Sequence, residues 1–168
     1  MARIAILGCG FGTALAVTAD ACGHQVTLWS LFPQELEEIR RDKEQRRLLP
    51  GVRVPDRIVL TSDISCLASC DLCIMAVPSF AIRQTAQRAA PYLREDTVVV
   101  NVAKGIEEDT LKTLTEIIEE ELNVKTVVFT DDVRDFTSYS FKPQLKTVGP
   151  KYGKQLNNIR KALSEVDG

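Results

Sequence analysis

The sequence has little histidine and no long hydrophobic run, and both shortages exclude classes of protein. His24 is the only histidine among the 168 residues. No apolar stretch approaches the ~20 residues that a membrane-spanning helix requires. The N-terminal segment MARIAILGCG holds a short apolar run that ends in glycines, whereas a secretory signal needs a longer run and a cleavage site. We therefore expect a cytoplasmic protein with no membrane partner.

The cysteines are few and odd in number, which argues against a disulfide scaffold. There are five of them, Cys9, Cys22, Cys66, Cys70 and Cys73, and a small secreted disulfide framework normally has an even number. The last three form a cluster that would suit zinc, but no fourth ligand lies nearby in the sequence. Cys73 also lies within an apolar run, where a thiol serves as a small hydrophobic side chain. We predict no metal site.

Charge is distributed unevenly along the chain. Residues 1–130 hold 14 basic and 18 acidic residues, whereas residues 131–168 hold 7 basic and 5 acidic ones. The order of predicted elements also changes near residue 123. We therefore predict two units, a nucleotide-binding domain at 1–122 and an appended strand–strand–helix segment at 123–168.

Apolar runs and helical patterns alternate through the first unit. The pattern predicts strands at 3–7, 25–29, 58–61, 72–77 and 97–102, and helices at 13–22, 33–47, 63–69, 79–92 and 107–122. It predicts a loop at 48–57. This alternation favours an α/β, Rossmann-like, doubly wound and mostly parallel sheet. Strands at 124–130 and 137–141 and a helix from Pro150 to about residue 166 predict an appended β-hairpin and C-terminal helix.

A glycine-rich turn lies between the first predicted strand and the first predicted helix. Gly8, Gly10 and Gly12 leave room for a phosphate beside backbone N–H groups and the positive end of the helix dipole. The alternative is a tight turn without a ligand. At the end of the second strand, an acid would favour the ribose of NAD and an arginine the 2′-phosphate of NADP. Ser30 in that position is neither, so NAD and NADP both stay open.

Five motifs in order make residues 1–122 resemble bacterial NAD(P)-dependent glycerol-3-phosphate dehydrogenase. They are GCGFGTALA at 8–16, GHQVTLW at 23–29, LLPGVRVP at 48–55, AVPSFAIR at 76–83 and VAKGIEEDT at 102–110. The resemblance implies a Rossmann domain whose cofactor contacts are Gly8, Gly10, Phe11, Gly12, Ser30 and Pro78. It also implies that Lys104 binds the phosphorylated substrate near the nicotinamide.

Two departures from that family limit what the resemblance implies. The glycine loop has one residue fewer between Gly10 and Gly12 than the family's GxGxWGTA. The family's helical substrate domain, which supplies the principal catalytic lysine, has no counterpart in these residues. A solvated lysine is protonated at neutral pH and is no base, so Lys104 alone is either a substrate contact or a solvated charge. We expect cofactor binding without catalysis.

The last segment resembles a different family. FKPQLKTVGPKYGK at 141–154, preceded by ELNVK at 121–125, is similar to the C-terminal region of bacterial isoleucyl-tRNA synthetase. This second resemblance implies a chimera, engineered or natural, joined at a helix end. Six basic residues there could contact phosphates: Lys142, Lys146, Lys151, Lys154, Arg160 and Lys161. Two aromatic residues, Phe141 and Tyr152, could stack on bases. We favour a solvated helix face instead, because Tyr152, Leu156, Ile159 and Leu163 form a helical core stripe.

Four functional hypotheses follow from these patterns. We favour a cofactor-binding domain derived from the dehydrogenase. A structural chimera with no ligand is the second. The third is an oxidoreductase whose substrate site is completed in a homodimer, because an exposed sheet edge favours association. A nucleic-acid-binding module is the fourth and least favoured.

Overall fold

The computed structural model of the protein describes residues 1–124 and the backbone of a strand at 126–129. The strands are β1 (Arg3–Leu7), β2 (Gln25–Trp29), β3 (Glu44–Gln45), β4 (Leu49–Arg53), β5 (Val59–Thr61), β6 (Leu72–Met75), β7 (Val98–Asn101) and β8 (Thr126–Phe129). The helices are α1 (Phe11–Ala21), α2 (Pro33–Asp42), α3 (Ile82–Ala89) and α4 (Leu114–Glu121). Two short 3₁₀ turns cover Ile64–Ser69 and Ser79–Ala81.

Six of these strands form one sheet in the order β5-β2-β1-β6-β7-β8. Every neighbouring pair in that sheet is parallel. From β1 the chain adds strands first on one side, through β2 and β5, and then on the other, through β6, β7 and β8. The predicted Rossmann-like, doubly wound sheet is therefore confirmed, and its topological switch point lies between β1 and β6.

Helices cover both faces of the sheet because successive side chains of a strand point to opposite faces. On one face Ile4 and Ile6 of β1 pack with apolar residues of α1 and α2. On the other face Ala5 and Leu7 pack with those of α3 and α4. Strand β6 is buried along its whole length, as expected for a central parallel strand.

The second helix ends earlier than its predicted limit at 47. Lys43 takes a left-handed conformation with φ of 56°, and its N–H donates to the carbonyl of Ile39. Leu36 and Ile39 are the buried residues of α2, and no apolar residue follows them at helical spacing. The chain instead turns into β3, which pairs antiparallel with β4. The loop predicted at 48–57 was therefore wrong, since it contains β4.

Two other helix starts also differ from the prediction. The helix predicted at 107–122 begins at Leu114, where Thr113 and Glu116 form a capping box in which each side chain accepts from the other residue's N–H. The preceding residues form a turn closed by a bridge between Ile106 and Thr113. The helix predicted from Ser79 begins at Ile82, after a 3₁₀ turn.

Beyond α4 the chain supplies one more strand to the sheet. The strand predicted at 124–130 is β8, which lies parallel to β7. Its predicted antiparallel partner at 137–141 and the predicted C-terminal helix lie outside the described residues. Within residues 1–124 and β8, no helix is both long enough and apolar enough to cross a bilayer.

Asp71 joins the starts of two central strands. Its carboxylate accepts from the backbone N–H of Arg3 at 2.9 Å and from the Arg3 guanidinium, whose Nη2 is 2.6 Å away. The Arg3 side-chain hydrogen bond is the main cause that lowers the pKa of Asp71 to about 2. This carboxylate therefore stabilises the fold above its ordinary pKa of 3.8, and that stability is lost as pH falls toward 2.

We expect Asp71→Asn to lower the free energy of unfolding by about 1.5 kcal/mol at neutral pH. The difference from the unmodified chain should shrink as pH is lowered from 4 toward 2, because the native carboxyl is then protonated as well. Urea unfolding across that range measures it. Asp96→Asn is the matched control, since Asp96 bonds Arg94 at 3.0 Å on a side chain that is 72% exposed. Equal effects of the two substitutions would contradict the prediction.

Candidate functional site

The candidate site lies where β1, β2, β6 and β7 end. Ligands of open α/β sheets bind in the crevice outside the carboxyl ends of the strands, at the switch point. The glycine loop leaves β1 at this point and leads directly into α1, whose first residue is Phe11. Thr13 fixes the loop, because its N–H donates to the carbonyl of Gly10 and its Oγ1 donates to the carbonyl of Cys9 at 2.6 Å. The structure therefore brings the predicted glycine loop to the carboxyl edge of the sheet.

Gly8 is required by the close packing of the protein on itself. It has φ of 114°, and its N–H donates to the carbonyl of Trp29 at 2.8 Å. A Cβ at this position would lie 2.7 Å from the carbonyl oxygen of Ala76 and 3.0 Å from the nitrogen of Val77. The first glycine thus allows the loop to cross over the chain that follows β6.

Gly12 and Gly10 have different neighbours, and the difference matters for binding. A Cβ on Gly12 would lie 3.0 Å from Cγ2 of Ile6 and 3.4 Å from Cβ of Ala76, so this glycine allows α1 to pack closely on the sheet. Among the residues that the structure describes, a Cβ on Gly10 would meet only Cδ1 of Leu48, at 3.7 Å. The second glycine is therefore the one whose missing side chain leaves room for a ligand.

An acidic residue, Glu35, lies beside the end of β2, and the sequence analysis did not single it out. Ser30 is buried, and its hydroxyl donates to Oε2 of Glu35 at 2.7 Å while accepting from the N–H of Phe32. Nη2 of Arg47 lies 3.6 Å from Oε1 of the same Glu35. The Ser30 side chain is thus directed at Glu35, in the first turn of α2. The signal in the sequence is an acid in the first turn of the helix that follows this strand.

Cys9, in the glycine loop, lies beside Ser30 and Glu35. Burial raises the pKa of its thiol to about 12, with a smaller contribution from the Glu35 charge and an opposing one from the Ser30 hydrogen bond. At neutral pH the sulfur is a protonated thiol and no nucleophile. Cys9 therefore serves the loop as a small buried side chain.

Pro78 and Lys104 lie on the other side of the switch point. Pro78 begins the 3₁₀ turn after β6, and Lys104 follows β7. Gly105, with φ of 132°, brings the two segments together, because its Cβ position lies 3.5 Å from Cβ of Ser79. Asn101 shapes the same turn by accepting from the N–H of Ala103 at 3.0 Å. The predicted residues therefore occupy two ends of one edge, with the glycine loop between them.

Apolar side chains are exposed along this edge, which the sequence reasoning did not single out apart from Phe11. They follow the ends of the strands or, like Leu48, lie on the β3–β4 hairpin beside Gly10: Phe11, Leu31, Phe32, Leu48, Phe80 and Ile106. Phe80 is 89% exposed. Exposed apolar side chains beside a glycine-rich turn at a helix N-terminus suit a ligand that carries both rings and phosphates.

A cavity of about 480 Å³ opens at the opposite, amino-terminal edge of the sheet. Its charged lining includes Arg3, which is paired with Asp71, and Asp20, which is paired with Arg57. These charges therefore neutralise one another within the protein. The lining that the structure describes includes neither the Gly8–Gly12 loop nor the first turn of an α-helix, so we place the site at the carboxyl edge. Among the described residues, no three His, Cys, Asp or Glu side chains are grouped to hold a metal ion.

Sequence comparison identifies the family. A family model described as NAD-dependent glycerol-3-phosphate dehydrogenase N-terminus matches residues 3–130. A glycerol-3-phosphate dehydrogenase [NAD(P)+] 2 of Lactobacillus delbrueckii subsp. bulgaricus is 46% identical over 127 residues, which are 73% of this chain and 37% of that protein. The glycerol-3-phosphate dehydrogenase [NAD(P)+] of Agathobacter rectalis is 41% identical over 124 residues, with 73% and 37% covered.

Solved structures agree with this assignment. The crystal structure of glycerol-3-phosphate dehydrogenase from Coxiella burnetii superposes with a TM-score of 0.68 and 29% identity, covering 76% of this chain and 39% of that one. A ketopantoate reductase from Ralstonia eutropha, at 20% identity and a TM-score of 0.60, shares the fold over 76% of this chain and 40% of its own. The chain spans less than two fifths of the length of the two curated relatives. It belongs to the NAD-dependent glycerol-3-phosphate dehydrogenase family and carries that family's N-terminal domain.

Proposed function

We propose that this domain binds NAD or NADP across the switch point of its sheet. The proposal rests on the different surroundings of the three glycines. The protein itself fills the space beside Gly8 and Gly12, whereas among the described residues only the flexible end of Leu48, at ordinary contact distance, lies beside Gly10 at the start of α1. Backbone N–H groups at a helix N-terminus and the helix dipole favour a phosphate in that position. The residues present therefore fit a dinucleotide, although the loop is one residue shorter than the family pattern.

Each end of the dinucleotide has its own surroundings in this arrangement. The adenosine half would lie over the end of β2, where Glu35, oriented by Ser30, would offer a hydrogen-bonding group to a ribose. The nicotinamide half would lie over the ends of β6 and β7, near Pro78 and Lys104. A bound nicotinamide would supply the hydride chemistry. Lys104 would attract a phosphorylated substrate to that end, which fits the interconversion of glycerol 3-phosphate and dihydroxyacetone phosphate.

We do not propose that these 168 residues turn over substrate on their own. Lys104 would contact the substrate, and the other lysine that the structure describes in the turn after β7, Lys112, is paired with Glu120. The predicted relation of residues 123–168 to isoleucyl-tRNA synthetase, and hence a chimera, falls almost entirely outside the described residues. A homodimer, nucleic-acid binding and a cytoplasmic location stay predictions from the sequence.

Calorimetric titration of the full chain with NADH and with NADPH tests the proposal. We expect saturable binding of at least one of them below millimolar concentration. The fluorescence of Trp29 gives a second readout, since Trp29 is the only tryptophan and its carbonyl accepts from Gly8. A folded protein that binds neither cofactor at millimolar concentration would overturn the proposal in favour of a ligand-free chimera.

Glu35 should control the choice between the two cofactors. We expect Glu35→Gln to weaken NADH binding about tenfold, because a charged acceptor for a ribose hydroxyl is replaced by a neutral one. NADPH should be weakened less or bound more tightly, since a carboxylate repels the 2′-phosphate and Arg47 is released from Glu35. Paired titrations with the two cofactors measure the ratio.

Glu37→Gln is the matched control for this prediction. Glu37 lies on the same helix, but its side chain is 69% exposed and pairs with Arg40. The control should leave both affinities unchanged. An NADH-to-NADPH ratio that does not respond to Glu35→Gln would show that Glu35 does not face the ribose.

A further inference from the structure

Arg83 connects three segments on the nicotinamide side of the proposed site. It lies in the first turn of α3, and its Nε and Nη2 each donate to a different carboxylate oxygen of Glu107 at 2.7 Å. Its Nη1 donates to Glu121 at the end of α4, and its Nη2 also lies 3.4 Å from Glu120. One guanidinium therefore joins α3 and α4 to the turn that follows Lys104.

These groups are sheltered enough for the pairing to matter. The exposed fractions of the side chains of Arg83, Glu107 and Glu121 are 27%, 21% and 18%. The hydrogen bonds from Arg83 are the largest cause that lowers the pKa of Glu107 to about 2, and one from Thr110 at 2.6 Å adds to them. Two parallel hydrogen bonds between arginine and a carboxylate fix direction as well as distance. Glu107 is therefore ionised and held in one orientation at neutral pH.

The turn that this pairing fixes has an irregular backbone. Gly105 has φ of 132° and Leu111 has φ of 57°. Lys104 stands between two anchors. On one side Asn101 accepts from Ala103, and on the other Glu107 meets Arg83. Removing the second anchor would leave this side of the turn held by the bridge between Ile106 and Thr113, without a tie to α3 through Arg83.

We propose that Arg83 is a positioning residue that holds the turn bearing Lys104 in place for the nicotinamide half of the cofactor. This inference rests on the proposed function, because it assumes a dinucleotide across the switch point. The carboxylates that Arg83 meets lie in the turn after β7 and at the end of α4, and none of them belongs to the glycine loop. The adenosine and pyrophosphate half of the ligand is therefore independent of it.

The test compares NADH with ADP, which has an adenosine and a pyrophosphate but no nicotinamide. We expect Arg83→Gln to weaken NADH binding about tenfold and to change ADP binding less than twofold. Arg83→Lys should restore part of the loss, since it keeps the charge without the two parallel hydrogen bonds. Arg88→Gln is the control, because Arg88 is an exposed residue of the same helix, and it should change neither affinity.

A second measurement keeps the inference separate from the proposed function. Hydrogen exchange of the full chain without cofactor should show faster exchange at 102–112 in Arg83→Gln than in the unmodified chain. The segment 84–96 should be unchanged. Equal NADH affinity in both chains, equal losses for NADH and ADP, or unchanged exchange at 102–112 would each overturn the role of Arg83. Failure of the unmodified chain to bind NADH would instead overturn the proposed function, while the exchange experiment still decides whether Arg83 fixes the turn.

Discussion

Gly8→Ala is expected to destabilise the domain by about 4 kcal/mol, the largest effect of any substitution considered for the site. Two costs add. The backbone at φ of 114° strains any residue with a Cβ. The new Cβ would also lie 2.7 Å from a carbonyl oxygen, that of Ala76, which belongs to the rigid backbone beyond a buried central strand. The loop must therefore move away from β6, and the cofactor site is lost with it.

Gly23→Ala separates these two costs. Gly23 has φ of 88°, so alanine there is also strained, but no atom of the described part of the chain lies within 4 Å of its Cβ position. We expect a loss of about 1 kcal/mol, from strain alone. Urea unfolding of both variants gives the difference, which measures the clash at Gly8. Equal losses would show that the loop can shift at no cost and that Gly8 is not fixed by Ala76.

The sequence alone predicts the sheet well, for a physical reason. The runs around β1, β6 and β7 are short, apolar and bounded by glycine, proline or polar residues, and a buried parallel strand needs nothing else. Helical patterns between them require crossovers, which make the strands parallel. The order β5-β2-β1-β6-β7-β8, in which β2 and β6 lie on either side of β1, is a finding of the structure.

The parts that the sequence does not predict are those set by tertiary contact. β4 contains Pro50 and Gly51, which mark a loop in any reading by propensity, yet it pairs with β3 beside the glycine loop. The start of α4 is different, because Thr113 and Glu116 form a recognisable capping box. There the signal was present, and the acidic residues before it were mistaken for a first helical turn.

The candidate site also has a part that the sequence predicts and parts that depend on tertiary contacts. Its glycine loop is a local pattern, so the sequence predicts it. Glu35 meets Ser30 only because the chain turns at the end of β2 and begins α2 at Pro33. Arg83 and Glu107 are 24 residues apart and meet only once α3 packs beside the turn after β7. Both pairings depend on the fold: the sequence signals only that an acid stands in the first turn of α2, and it carries no pattern for the pairing of Arg83 with Glu107.

Gly10→Asp should abolish cofactor binding without harming the fold. Gly10 is the N-cap of α1 and makes no side-chain capping hydrogen bond, and its Cβ position is open apart from Leu48. Aspartate is among the best N-cap residues, because its carboxylate accepts from N–H groups of the first turn. We therefore expect thermal stability to be kept or raised. The same carboxylate would occupy the donors and the field that a pyrophosphate needs, so NADH affinity should fall at least about 100-fold.

Gly10→Asn distinguishes the effect of the added negative charge from the effect of the added side-chain volume. Asparagine caps the helix about as well and has the same shape but no charge, so NADH affinity should fall by only about tenfold. The gap between the two variants should narrow as salt is raised, because repulsion at a partly exposed site is screened. Equal losses at every salt concentration would mean that the side chain blocks the cofactor by volume alone. Unchanged NADH affinity in both variants would mean that the pyrophosphate does not lie over Gly10, and the glycine loop would then be a turn that serves only the packing of α1.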